Sequence, residues 1–132
     1  YVTALPGGPA VDLPAGPSEV MVAADATADA ALVASDLLSQ AEHDANAQVV
    51  LLADAVAVAD GVIAEVEAQL QDLPRADIAK AALENSLCLV CADADAMADA
   101  ANLYAAEHLI IQTARPEFLV EKVRHAGSIF VR

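Results

Sequence analysis

Tryptophan is missing from these 132 residues, and phenylalanine and tyrosine occur only twice each. So few rings make a poor platform for stacking on bases. Basic residues are scarce too: 6 Lys plus Arg face 20 Asp plus Glu, a formal net charge of −14. Phosphate backbones and anionic membrane surfaces both call for a basic face, so nucleic acid and membrane are excluded as partners. The plain reading of the charge is a solubilising acidic surface. No apolar stretch reaches the roughly 18 residues of a membrane span. No basic segment followed by an apolar core marks a secretory signal. The expectation is a soluble cytoplasmic protein. Because the chain opens on Tyr1 rather than Met, it reads as a processed product or an excised piece.

Glycine-rich phosphate loops are lacking as well. Neither the dinucleotide fingerprint G-x-G-x-x-G nor the G-x-x-x-x-G-K-S/T loop occurs. Gly16-Pro17-Ser18-Glu19 is the one glycine-bearing loop of interest, and alone it reads as an entry into a strand. The only two cysteines, Cys88 and Cys91, have the spacing of a redox or zinc pair. They lie in an apolar run that reads as a strand, where residues three apart point to opposite faces. They are expected to be core thiols.

What the chain does have is apolar surface: 58% of residues are hydrophobic, many of them alanine. That excludes disorder and suits one domain over 1–132, with closely packed helices. Residues 1–17 are rich in Pro and Gly and read as an irregular lead-in. Short apolar runs at 19–24, 48–53, 86–92, 109–113 and 128–132 read as strands. Between them, helical spacing predicts helices over 29–43, 54–70, 76–84, 95–104 and 116–125. Pro116 suits the first turn of the last helix. Continuous apolar strands alternating with helices predict an α/β fold. It is a three-layer α/β/α arrangement around a mostly parallel five-stranded sheet, Rossmann-like.

Chemistry concentrates at two copies of one tripeptide, Ala41-Glu42-His43 and Ala106-Glu107-His108. They hold two of the three histidines; His125, near the end of the last helix, reads as exposed and structural. Imidazole ligates metals and moves protons near neutral pH, and a neighbouring carboxylate can act as base or ligand. Gln40 and His43 are three apart, on one face of a helix, so they could hold one cation between them. Two ligands alone would bind zinc weakly, and from spacing alone the preferred reading is an ordinary helix C-terminus with a histidine complementing the dipole. Glu107 and His108 fall between a helix and a strand, at the N-terminal edge of a parallel sheet. Ligands more often lie beyond the C-terminal edge.

Ala15-Gly16-Pro17-Ser18-Glu19-Val20, the block from Ser35 to His43, Asn102-Leu103-Tyr104-Ala105-Ala106-Glu107-His108-Leu109 and Ala126-Gly127-Ser128-Ile129-Phe130 occur in that order. Together they resemble histidinol dehydrogenase, over nearly all of the chain from Val11 onward and about a third of a typical member. The resemblance implies NAD-dependent oxidation of L-histidinol to L-histidine through an aldehyde, in histidine biosynthesis. It implies a lobe similar to those of the aldehyde dehydrogenase-like fold, and a homo-oligomer. It further implies that Gln40 and His43 are two of four zinc ligands, the others lying outside this chain. Ser18 would touch the substrate together with Gln40, His43 and His108. His108 would be the general base, and Glu107 would activate the water that attacks the aldehyde. The NAD-binding residues would also lie outside this chain, so the isolated chain is expected to have little turnover. Two other readings stand beside this one: a non-catalytic folding module, and a zinc-assisted hydrolase using Glu107 as base.

Overall fold

A strand covered on one face alternates in polarity, whereas one covered on both reads as an unbroken apolar run. Two such runs become the centre of the sheet in the computed structural model, as β2 (Glu19–Ala24) and β3 (Gln48–Ala53). The structure describes residues 2–4, 19–42, 47–84, 86–104, 108–124 and 127–131. All of β3 is buried, and so is β2 after Glu19. Around them run β1 (Val2–Ala4), α1 (Ala30–Ala41), α2 (Val56–Leu70), α3 (Ala76–Leu83), β4 (Leu87–Val90), α4 (Ala94–Tyr104), β5 (His108–Gln112), α5 (Pro116–Lys122) and β6 (Ser128–Val131).

The strand order is β1-β4-β3-β2-β5-β6. Strands β2 to β6 are mutually parallel, as the sequence predicts. Val2–Ala4 corrects the irregular reading of the lead-in: it is a sixth strand, antiparallel to β4. The β-branched pair Val2-Thr3 favours extension, a signal outweighed in the sequence by the Pro and Gly that follow. Among the described residues no helix is long and apolar enough to cross a membrane.

Alternate strand residues feed two cores. Val20, Val22, Val49, Leu51 and Cys88 pack beneath α1, α2 and α3. Met21, Ala23, Val50, Leu52, Leu109 and Ile111 pack beneath α4 and α5. Helix α1 starts where its cap dictates: the Asp29 carboxylate accepts the amides of Ala31 (3.0 Å) and Leu32 (3.3 Å). Two helices end earlier than their apolar spacing predicts. Glu42 already caps α1, and Val123 is extended, which closes α5 at Lys122.

Cys88 and Cys91 are both free thiols. Cys88 belongs to the first core and Cys91 packs on the second, so they face opposite ways as strand geometry requires. Burial, with smaller contributions from Asp60 and Cys91, pushes the Cys88 thiol from 9.0 up to about 11. The folded state therefore keeps a proton that the unfolded chain releases above pH 9.0, and stability falls as pH rises toward 11. Urea unfolding at about pH 8 and about pH 11 should show wild type losing roughly 1–3 kcal/mol more than Cys88→Ala. Equal losses would contradict this.

Candidate active site

Each helix following a parallel strand must run back along the sheet to start the next one. The C-terminal ends of α1 and α4 therefore return to the N-terminal edge of the sheet, where Ala41 and Glu42 close α1 and His108 opens β5. His108 is the first residue of β5, level with Val20 of β2 and Ser128 of β6. Its side chain shares a face with Ile110 and Gln112. That face is the one covered by α1: Ile110 packs on the first core, and Gln112 Nε2 donates to Asp36 Oδ2 at 3.2 Å.

Gln40 lies one turn beyond Asp36 on α1, on the same side of the helix. A turn advances about 5.4 Å, or about one and a half strand residues. With Asp36 over Gln112, Gln40 comes back toward the level of Ile110, on the His108 side of that contact. A half-buried amide and a half-buried imidazole therefore share this face of the sheet, both on the N-terminal side of the Asp36–Gln112 contact. The His108 ring stands 6.1 Å from that of Phe130, tilted 42°. Gln40 Nε2 is buried and has no hydrogen-bond partner among the described residues. The two ends of an amide exchange by a half turn. Turned over, Gln40 would put an oxygen at that orphaned point, where a cation could satisfy it.

Ser18, His43, Glu107 and His125 lie outside the described residues. Because α1 ends at Ala41, the helical-spacing argument reaches Gln40 but stops short of His43. Among the described residues no three His, Cys, Asp or Glu side chains group as metal ligands.

A supporting pair escaped the sequence reading. Tyr104, the last residue of α4, donates its hydroxyl to Gln48 Oε1 at 2.6 Å, pinning α4 to the first residue of β3. Burial, aided by the Glu19 charge, pushes the Tyr104 phenol up and keeps it a donor. This clamp fixes the point from which the chain enters 105–107 and then His108. The visible signal was Gln48 itself, a polar residue heading an otherwise apolar buried strand.

At the opposite edge, the first β–α turn offers no phosphate cradle. Asp29 already occupies the amides at the start of α1, and a second carboxylate, Asp25, stands in the turn. Pyrophosphate needs those amides free and no anion beside them.

A family model described as histidinol dehydrogenase matches residues 3–132. Histidinol dehydrogenase of Yersinia pestis is 50% identical over 124 residues, covering 94% of this chain and 28% of that relative. The enzyme of Pectobacterium atrosepticum is 51% identical, with the same coverage of 94% and 28%. The crystal structure of histidinol dehydrogenase from Elizabethkingia anophelis superposes with a TM-score of 0.86 at 46% identity, over 91% of this chain and 28% of that one. The chain thus spans under a third of the length of the curated relatives it matches.

Tyr104→Phe deletes the donor to the buried Gln48 oxygen. It should lower unfolding free energy by about 1–3 kcal/mol in urea titration, the cost of a buried polar group losing its partner. An unchanged midpoint would show that the clamp does not hold this edge.

Proposed function

The chain belongs to the histidinol dehydrogenase family, and from that membership we propose that it supplies one lobe of an NAD-dependent enzyme oxidising L-histidinol to L-histidine. The observation that carries this reading is that His108 opens β5 on the face covered by α1, with Gln40 on the same helix one turn nearer the N-terminal edge than Asp36.

In the first step His108 accepts the hydroxyl proton of the alcohol as hydride leaves its carbon, giving the aldehyde. An imidazole nitrogen can accept such a proton. In the second, Glu107 takes a proton from the water that adds to the aldehyde, and the hydrate loses a second hydride to give the carboxylate. Each hydride reduces one NAD; the first oxidation releases one proton, and the second, which ends in a carboxylate, releases two. The capped first turn of this lobe suits a pyrophosphate poorly, which supports a nucleotide held by segments outside this chain. Ser18, by family resemblance, would contact the substrate.

Gln40 and His43 would hold zinc together with two ligands outside this chain. The orphaned, buried amide end of Gln40 supports the fit. When bound, zinc would anchor the substrate's imidazole and amine. The two free thiols suit a reducing, cytoplasmic setting. Leu103, 90% exposed, and Phe130, 52% exposed, leave apolar surface that suits a homo-oligomer.

The isolated chain should show little or no histidinol-dependent NADH formation. Substituted for the matching segment of the Yersinia pestis relative, it should restore turnover. In that chimera His108→Ala should lower kcat by about 10²–10⁴-fold, and Gln40→Ala should lower zinc content measured by atomic absorption. Full turnover after His108→Ala would remove the imidazole from the mechanism.

A further inference from the structure

The active-site reading uses the N-terminal edge of the sheet and leaves the C-terminal edge unexplained. The strand order reverses there. From β2 the chain moves outward through β3 to β4, then crosses back to β5 on the other side of β2. In open α/β sheets the crevice at such a point is where ligands bind. A cavity of about 320 Å³ lies there, beneath the first turns of α4 and α5. Its floor is apolar, with Met97, Phe118 and Leu119 among its lining residues. Its polar lining is Asp25, Asp54, Thr113 and Arg115.

These four groups differ in what they have left to offer. Asp25 is largely consumed: it accepts the Thr27 amide (2.9 Å), the Thr27 hydroxyl and the Ala114 amide (2.8 Å). Burial alone would raise its carboxyl, but the hydrogen bonds from Thr27 and Ala114 outweigh that and hold it ionised. Asp25 is thus a strut that ties the turn after β2 to the loop after β5. Asp54 and Arg115 form no ion pair among the described residues, although both line the same cavity. The buried Thr113 hydroxyl has no hydrogen-bond partner among the described residues. The cavity therefore offers one free cation, one free anion, one unmet hydroxyl and an apolar floor.

We propose that this cavity is a second binding site, for a free α-amino acid with an apolar or aromatic side chain. Arg115 takes the carboxylate, Asp54 the ammonium group, Thr113 Oγ1 a further hydrogen bond, and Met97, Phe118 and Leu119 the side chain. A volume near the bottom of the usual 300–1,000 Å³ range admits one small molecule and not a dinucleotide. The opposed charges select an amphoteric ligand over a simple anion. The inference stands apart from the oxidation reading, since it shares no residue with the His108 corner.

The test is titration calorimetry of the chain with L-phenylalanine as probe, beside phenethylamine, 3-phenylpropionate, L-histidinol and AMP. Saturable binding of L-phenylalanine, about tenfold or more tighter than either one-charged analogue, is expected from the loss of one charge-assisted contact. Arg115→Gln should erase its advantage over phenethylamine, and Asp54→Asn its advantage over 3-phenylpropionate. Both side chains are exposed, and an unchanged melting transition in each variant confirms folding. Absence of L-phenylalanine binding, equal binding of the one-charged analogues, indifference to both substitutions, or preference for AMP would each overturn the proposal.

Discussion

Burial of β2 and β3 on both faces is the constraint from which the rest follows. Two strands without a polar face demand helices above and below. Parallel strands demand that each connecting helix run the full length of the sheet and return. Every helix between strands therefore ends at the N-terminal edge. The ends of α1 and α4, far apart in the chain, come to the same edge for that reason. The register of β5 against β2, His108 with Val20, then puts the imidazole at the rim and not inside the core.

The two edges are chemically unlike. At the N-terminal edge polar side chains tie element ends together, as Tyr104 does on Gln48. Asp36 on Gln112 secures α1 across the same face toward the other edge. At the C-terminal edge the helix start that could have greeted a phosphate is sealed by Asp29, and Asp25 braces two loops. A net charge of −14 reinforces the contrast: anionic ligands meet a repulsive surface unless segments outside this chain supply the cations.

Much of the fold was legible because it rests on local signals. The unbroken runs Val49–Leu52 and Val20–Ala24 announced doubly covered strands, and Asp29 and Pro116 announced helix starts. Strand order and the pairing of Val2–Ala4 with β4 were not legible, since they depend on contacts between residues far apart. At the site, His108 at a strand entrance and Gln40 at a helix end could be read from spacing and resemblance. The shared face of Gln40 and His108 could not, because it depends on the parity of β5 and on Asp36 reaching Gln112. Gln48 and Tyr104 were missed for the same reason: they sit 56 residues apart.

The central claim is that the substrate site lies at the N-terminal edge, on the face covered by α1. Nuclear magnetic resonance of the chain, titrated with millimolar L-histidinol in the presence of zinc, tests it most directly. Even weak binding shifts nearby amide signals. The account predicts shifts clustered at Gln40, Ala41, His108, Leu109 and Ser128, with Asp54, Thr113 and Arg115 unmoved. Shifts confined to the C-terminal edge, or none at all, would contradict it.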